Sequence, residues 1–512
     1  MKTICLYFEI HQPYHLKRYR FFEIGTDHYY YDDYENERAV TEIAQRSYIP
    51  ALKTMLEMTQ QYGQYFRVAF SVSGVMLELL EQYAPEVIDL LQQLSETGCV
   101  EFLAEPYSHG LASLGNPESF VSETKRQARK MKELFNYTPK VLRNSSLIYS
   151  DEIGMMAADM GFRGMIAEGA KHILGWKSPH YVYQCAMAPK LSLLLRDYKL
   201  SDDISLRFND SSWSEYPLMA DKFINWISAL PKGEDVINIF MELLALGMYQ
   251  PLESNILEFL RALPSMACQK DIIFATPSEV IAKNKPVAPM EMQYPVSWND
   301  EERDTSCWLG NGMQREAFNK LYDEKIVGRI LACQDRRIKQ DWDRLQASNN
   351  LRYMTTKPMQ VNMYRSIYDS PYDAFTNYMN ILGDFLKRVR DLFSEDVEND
   401  ELNSLYTQIT NLDKELAVKE NEISRLRARL EKYEPKKEGE ESGGKEKAPA
   451  KAQAKKADAK PVKKVSTKKA TVKSAPKKVA ETKKVAETKK AETKKAETKK
   501  ASAKKATVKK TK

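Results

Sequence analysis

The sequence lacks the cysteine and histidine spacings by which proteins usually hold metal ions. Its six cysteines lie far apart, at positions 5, 99, 185, 268, 307 and 333, and its six histidines form no HxH or HExxH pattern. Scattered cysteines of this kind normally stay as reduced thiols in the cytoplasm. We therefore predict a cytoplasmic protein with no metal site.

Long hydrophobic runs are also missing. No stretch approaches the roughly 18–20 apolar residues that a membrane span needs. The N-terminal segment MKTICLYFEI runs directly into a strand-like pattern without a small-residue cleavage site, which predicts no signal peptide and no membrane association. The 512 residues suffice for one large domain with appendages.

The segment after Pro435 has no aromatic residue and no arginine. Residues 451–512 contain 24 lysines and five acidic residues, a net +19, so that residues 1–450 carry −13 of the total of +6. A low-complexity segment of this composition cannot bury enough apolar surface to fold, and we predict a disordered tail over 435–512. Lysine-dense chains bind nucleic acid and other polyanions non-specifically by counterion release. A solubilising tether is an equally good interpretation.

A heptad pattern precedes the tail and predicts a coiled coil over 402–433. Its a and d positions are occupied by apolar residues with one lysine among them: Leu402, Leu405, Ile409, Leu412, Leu416, Lys419, Ile423, Leu426, Leu430 and Tyr433. A seam of about four and a half heptads favours a homo-oligomer. The alternative is a single helix that packs on the rest of the chain.

The first 300 residues alternate between short β-branched or aromatic runs and amphipathic helical stretches. The predicted strands are 3–10, 66–73, 99–104, 141–144, 162–168, 192–196, 236–242 and 271–275, and two of the predicted helices are 75–97 and 116–136. This alternation predicts an α/β fold on a parallel sheet, and seven or eight such units favour a barrel. Residues 301–395 lose the strand pattern and are predicted to be helical.

Several motifs follow one another in a fixed order along this region. They are CLYFEIHQP at 5–13, GCVEFLAE at 98–105, RNSSLIY at 143–149, LSDD at 200–203, WSEYP at 213–217, FMELLALGMYQ at 240–250, SWNDEERD at 297–304 and WLGN at 308–311. Together they cover roughly residues 1–395 and resemble the α-amylase branch of glycoside hydrolase family 57. The resemblance implies an incomplete TIM-like (β/α)7 barrel over 1–300, a helical C-terminal domain over 301–395, and an α-glucan or oligosaccharide ligand. It also implies that the protein needs no cofactor.

Both catalytic positions implied by the resemblance are substituted. Ser146 stands where the family's pattern has the glutamate nucleophile, and Glu242 stands where it has the aspartate general acid/base. A retaining glycosidase needs a carboxylate at the first position, because it forms the glycosyl-enzyme. A glutamate at the second position displaces its carboxyl by about 1.5 Å, when productive geometry tolerates roughly 0.5 Å. Leu244, Met248 and Tyr249 further replace polar groups that would tune the pKa of the acid.

Other residues are predicted to bind the sugar. His11, Glu101, Glu105, His109 and Arg143 are assigned to the cleft by the resemblance, because in such barrels the chemistry lies at the C-terminal strand ends. Trp298, Trp308 and Trp213 are candidate stacking platforms, although tryptophan is as often a core residue.

Three functions remain open at this point. The first is a catalytically impaired family member that binds α-glucan or has a regulatory role. The second is an active α-1,4-glucan hydrolase or transferase in which Glu105 or Asp151 serves as base and Glu242 as acid. The third is a nucleic-acid-associated protein defined by its basic tail.

Overall fold

The computed structural model describes residues 1–357 and 366–392, together with Lys419. The chain divides after Leu416 into two units, and every described residue except Lys419 belongs to the first. The predicted coiled coil over 402–433, Lys419 apart, and the predicted tail over 435–512 lie outside the described residues. Among the described helices, none is long and apolar enough to cross a membrane.

In the described part of the chain, ten strands form the sheet. In chain order they are β1 (Thr3–Ile10), β2 (Val68–Val72), β3 (Val100–Leu103), β4 (Val141–Arg143), β5 (Gly164–Glu168), β6 (Val182–Cys185), β7 (Ser192–Arg196), β8 (Val236–Glu242), β9 (Ile273–Phe274) and β10 (Pro289–Met290). The eight predicted strands all correspond to observed ones, whereas β6 and β10 were not predicted.

Seven of these strands pair in a closed ring, which we call the barrel. All pairs in the order β1, β2, β3, β4, β5, β7, β8 and back to β1 are parallel. The β3–β4 junction rests on two backbone bonds, from the Ala104 N–H to the Val141 carbonyl at 3.0 Å and from the Arg143 N–H to the Ala104 carbonyl at 2.8 Å. β9 adds to the N-terminal end of β1, and β6 runs antiparallel to β7 on the outside. The predicted α/β fold on a parallel sheet is confirmed.

The interior of the barrel is filled by side chains from alternate strand positions. Because successive residues of a strand face opposite sides, residues two apart share the inner face. Inward-facing apolar residues from the seven strands form one buried cluster: Cys5, Tyr7, Ala69, Leu103, Val141, Ile166, Leu194 and Phe240. On each strand, the next inward-facing residue therefore lies at the C-terminal end of the barrel.

Helices surround the barrel and continue beyond it. The first twelve are α1 (Asp33–Ile43), α2 (Ile49–Tyr62), α3 (Gly74–Tyr83), α4 (Pro85–Glu96), α5 (Ala112–Gly115), α6 (Pro117–Phe135), α7 (Asp151–Asp159), α8 (Lys171–Leu174), α9 (Tyr198–Ser205), α10 (Ala220–Ala229), α11 (Ile256–Cys268) and α12 (Pro277–Lys283). The single helix predicted over 75–97 is in fact two, α3 and α4. Pro85 disfavours the helical conformation of the residue before it, and Ala84 has φ −149° and ψ 60°.

The last six helices within residues 1–392 are α13 (Ser306–Leu309), α14 (Gly312–Leu321), α15 (Glu324–Ala332), α16 (Arg336–Leu345), α17 (Ser348–Arg352) and α18 (Pro371–Asp391). Trp308 and Trp342 are both buried where these helices meet. The buried Asp384 of α18 ties them to the N-terminal segment, since it accepts hydrogen bonds from the Tyr30 hydroxyl at 2.6 Å and the Gly25 N–H at 2.6 Å. A domain boundary near residue 300 stays a prediction.

Candidate active site

Five charged or titratable side chains meet at the C-terminal end of the barrel, and we call them the barrel-end cluster: Glu9, Glu105, His109, Arg143 and Glu242. None is more than 5% exposed. Glu9 ends the inward-facing series Cys5, Tyr7, Glu9 on β1, and it lies in register with Glu242 on the neighbouring β8. The strand pattern therefore brings two carboxylates side by side above the apolar filling of the barrel.

Arg143 is the cation that joins this cluster. Its Nη1 donates to Glu105 Oε2 at 2.9 Å, and its Nη2 donates to Glu9 Oε2. All three side chains are buried, so each carboxylate would be costly without the shared guanidinium. For Glu105, the cost of burial outweighs the attraction of Arg143 and raises the pKa of the carboxyl to about 7.

Two stacked imidazoles flank the cluster. The rings of His11 and His109 lie 4.0 Å apart and nearly parallel. His11 Nδ1 is 2.8 Å from the Ser73 hydroxyl and its Nε2 is 3.0 Å from Asn349 Oδ1, which fits a neutral ring with its proton on Nε2. His109 Nε2 is 3.2 Å from Glu9 Oε1. Burial lowers the pKa of both histidines, that of His109 to about 4, so both are neutral at pH 7.

Ser146 follows β4 in a tight turn. It has φ 51° and ψ 29°, in the left-handed region, and it is 6% exposed. Its carbonyl accepts a hydrogen bond from the backbone N–H of Trp298 at 3.2 Å. Asn144, two residues before Ser146, fixes the turn. Its side-chain amide donates hydrogen bonds to the Ser113 hydroxyl at 2.9 Å and the Ile148 carbonyl at 2.8 Å. The position implied for the nucleophile thus carries a hydroxyl on a rigid turn, and the nearby Arg143 is bound to Glu9 and Glu105.

Glu242 ends β8 and is bound by a tyrosine. The Tyr249 hydroxyl donates to Glu242 Oε2. Burial, and next the charge of Glu9, raise the pKa of Glu242 to about 8, against the opposing effects of Tyr249 and two arginines. Glu242 is therefore mainly protonated at neutral pH. A protonated carboxylic acid can donate a proton, which suits a general acid, but this side chain is only 5% exposed.

A second charged network lies beside the cluster. Arg196 Nη2 donates to Asp202 Oδ1 at 2.5 Å and its Nη1 approaches Glu168 at 3.4 Å. Arg303 Nη2 adds a bond to Asp202 Oδ2 at 3.3 Å. Trp298 packs edge-on against the Phe240 ring at 5.8 Å. A cavity of about 20 Å³ next to it is large enough for roughly one water molecule.

The predicted sugar-stacking tryptophans lie in different surroundings. Trp298 is 5% exposed and Trp308 is 1% exposed, so both are packed core residues in this structure. Trp213 is half-buried and meets Trp226 at 6.3 Å in a T-shaped arrangement. These two rings border a surface groove of about 740 Å³. The residues that line this groove do not belong to the barrel-end cluster. Only Trp213 of the three presents part of its ring to solvent.

Glu101 was placed in the cleft by the sequence, and the structure puts it elsewhere. It lies near the start of β3, in register with Ala69 of β2. Its carboxylate accepts from the Ser278 N–H at 2.8 Å and from the Ser278 hydroxyl at 2.5 Å, at the first turn of α12. The expectation was wrong because a strand of four residues separates its two ends by about 10 Å. Glu101 caps a helix at the N-terminal end of the barrel.

The remaining predicted residues do come together. His11, Glu105, His109, Arg143, Ser146 and Glu242 all follow or end strands at the C-terminal end of the barrel. Three further residues of this region were not predicted: Glu9, Tyr249 and Asn349. The inward-facing series on β1 could have identified Glu9, since it continues through Cys5 and Tyr7. Asn349 comes from α17, and no local pattern indicates that it reaches His11.

Comparison with known proteins identifies the family of the chain. The family model described as "Glycosyl hydrolase family 57" matches residues 5–293, more than half of the chain. The chain belongs to glycosyl hydrolase family 57. A relative from Methanocaldococcus jannaschii, named "Putative alpha-amylase", is 37% identical over 413 residues, which are 77% of this chain and 86% of the relative. This family 57 chain is therefore α-amylase-like.

Solved structures share the fold at low identity. The family 57 branching enzyme of Pyrococcus horikoshii is 13% identical, with 78% of this chain and 93% of that chain covered at a TM-score of 0.55. The α-amylase AmyC of Thermotoga maritima is also 13% identical, with 79% and 96% covered at a TM-score of 0.51. At this identity the likeness extends to the fold and not to individual residues.

Proposed function

We propose that this family 57 protein serves α-glucan metabolism as a catalytically impaired member that binds α-glucan or acts in a regulatory role. The observation that carries the proposal is the state of the nucleophile position. Ser146 is buried on a fixed turn, and the arginine beside it is engaged by Glu9 and Glu105. No carboxylate stands there to attack an anomeric carbon, and a neutral hydroxyl without a base does so poorly.

The surroundings of Glu242 support the same proposal. The Tyr249 hydroxyl occupies one of its oxygens, and Leu244, which is buried, stands where the family pattern has an acid. A general acid alone contributes about 10²–10⁴-fold to a rate, which is far less than a glycosidase requires. The loss of the nucleophile therefore leaves too little of the catalytic machinery for efficient turnover.

Two measurements on the full-length protein test this proposal. Release of reducing sugar from maltodextrin and glycogen should be no greater for the unmodified protein than for Ser146→Ala, because the serine is not a nucleophile. Titration calorimetry with maltoheptaose should show binding despite this lack of turnover. Efficient hydrolysis by the unmodified protein would overturn the proposal of impairment, and absence of any binding would overturn the proposal of α-glucan as ligand.

One observation favours an active enzyme with reassigned carboxylates. Glu9 and Glu242 are in register on adjacent parallel strands, so that two carboxyl groups lie side by side, one of them protonated at neutral pH. Retaining glycosidases use a pair of carboxyl groups about 5–5.5 Å apart. Of the bases predicted from the sequence, Glu105 is bound to Arg143, and Asp151 accepts the Met292 N–H at 2.9 Å.

The same assay separates the two proposals. An enzyme that depends on this pair should lose its turnover in Glu9→Gln and in Glu242→Gln alike, since each variant removes one member. An impaired protein has no turnover to lose, and both variants should match the unmodified chain. Glu258→Gln is the control, because Glu258 is exposed on α11 and ion-paired only to Arg261 in the described part of the chain.

A further inference from the structure

Three side chains of the barrel-end cluster are arranged as a set of metal ligands. Glu9, Glu105 and His109 each offer one ligand atom, and these atoms lie within 4.8 Å of one another. The three residues are 2%, 0% and 3% exposed. Buried carboxylates and imidazoles are normally satisfied by hydrogen bonds or ion pairs, so a buried group of this composition needs an account of its partners.

The hydrogen bonds at this group are incomplete. Glu105 Oε1 and His109 Nδ1 are buried, and neither has a hydrogen-bond partner among residues 1–357 and 366–392. The contact from His109 Nδ1 to Glu105 Oε2 is 3.7 Å, beyond hydrogen-bond length. Leaving a buried polar atom unsatisfied costs roughly 1–3 kcal/mol, and more when the group is charged. Two such atoms in one small cluster are a second observation, independent of the ligand spacing, that points to an additional bound species.

Arg143 satisfies only part of the hydrogen-bonding capacity of the two carboxylates. Its two terminal nitrogens bind the Oε2 atoms of Glu9 and Glu105. The Oε1 atoms remain on the other side of each carboxylate, where Glu9 Oε1 lies 3.2 Å from His109 Nε2. The two carboxylates also outnumber the one guanidinium that they share. An additional cation bound through the Oε1 atoms would offset the excess negative charge and supply the missing contact to Glu105 Oε1, while Arg143 held the carboxylates in place.

We propose that Glu9, Glu105 and His109 form a binding site for one divalent transition-metal ion of the Zn²⁺ or Mn²⁺ class. Two carboxylate oxygens and one imidazole nitrogen are ligands that such ions accept, and three protein ligands leave a further position for water. The i, i+4 pair Glu105 and His109 comes from the segment after β3, and Glu9 comes from the end of β1. Histidine spacing in the sequence did not indicate this site because two of its ligands are glutamates from separate segments.

The experiment is a Zn²⁺ titration of the full-length protein after treatment with a chelator, followed by metal analysis after dialysis. The unmodified chain should bind one ion, and Glu105→Gln and His109→Gln should each weaken its binding at least about 100-fold. At position 105 glutamine keeps the shape of glutamate and removes the carboxylate charge, and at position 109 it removes both imidazole nitrogens. The control is His172→Gln, on the exposed α8, which should bind as the unmodified chain does.

Each outcome of this titration has a defined meaning. A stoichiometry near zero for the unmodified chain overturns the proposal, as does binding that survives in both ligand variants, which would assign the ion to cysteine thiols or to another surface. If a variant fails to fold, the unmodified chain loaded with Co²⁺ decides. X-ray absorption should then show oxygen and nitrogen ligands, and sulfur ligands would contradict the proposal. No sugar is present in these measurements, so their result is independent of the proposed function.

Discussion

Glu242→Gln should remove a pH dependence of stability that originates at the end of β8. Burial and the neighbouring Glu9 raise the pKa of Glu242 from its ordinary 4.5 to about 8 in the folded protein. Between these two values the folded chain holds a proton that the unfolded chain has lost. The free energy of unfolding therefore falls as the pH rises from about 4.5 to about 8, and the full penalty is present above pH 8.

The size of the change in the free energy of unfolding follows from this shift in the pKa of Glu242. Each pKa unit corresponds to 1.36 kcal/mol, so that a rise from 4.5 to about 8 amounts to about 5 kcal/mol. Glutamine has nearly the shape of a protonated glutamate and no charge to lose. At pH 5 the variant should be about as stable as the unmodified protein, and at pH 9 it should be more stable by up to about 5 kcal/mol.

Denaturant unfolding at pH 5, 7 and 9 measures this difference directly. Glu258→Gln is the control, since its side chain is 70% exposed and should leave the pH profile unchanged. Parallel profiles of Glu242→Gln and the unmodified protein over this range would refute the reasoning. They would mean that Glu242 is ionised in the folded state at neutral pH and that its surroundings stabilise the carboxylate.

Three further predictions concern the packing and assembly of the chain. Arg143→Met should lower the free energy of unfolding by about 3–5 kcal/mol in denaturant titrations, because it leaves two buried carboxylates without their shared cation. Gly74→Ala should lower the melting temperature, since a Cβ atom there would lie 2.1 Å from the Tyr107 ring, whereas the control Gly328→Ala meets nothing within 4 Å and should not. Deletion of 402–433 should convert an oligomer into a monomer in sedimentation experiments, and unchanged sedimentation would contradict the predicted coiled coil.

The sequence predicted the strands well because their pattern is strong. β1, β7 and β8 have the predicted bounds, and the others differ by one or two residues at an end. Strands buried on both faces appear as continuous β-branched and aromatic runs, which are easy to recognise. β6 was not predicted because its four residues, VYQC, are short and partly polar and lie outside the barrel.

Positions at the strand ends were harder to predict than the strands. Glu101 and Glu105 are four residues apart, and both follow the family motif, yet β3 puts them at opposite ends of the barrel. A sequence motif identifies such residues without stating which end of the strand carries each of them. Glu9 was not predicted as a site residue, because its role depends on pairing with β8 from a distant part of the chain.

The substitutions after β8 can be recognised in the sequence, but their effect depends on side-chain contacts in the folded protein. The sequence predicts that Met248 and Tyr249 replace polar groups of the family pattern and that these groups are lost. In the structure the Tyr249 hydroxyl binds Glu242, so one of these substitutions replaces a polar partner with another. Such compensation depends on side-chain geometry across the turn after β8, which no spacing rule describes.

The central claim is that substitution of the family's nucleophile by Ser146 impairs catalysis in this family 57 protein. The most direct test is hydrolysis of maltodextrin by the unmodified full-length protein, by Ser146→Glu, and by the double variant Ser146→Glu/Glu242→Asp. We expect no turnover by the unmodified protein, measurable turnover by the double variant, and less by Ser146→Glu alone, because the double variant restores both carboxylates of the family pattern. Robust turnover by the unmodified protein that persists in Glu242→Gln would contradict the claim.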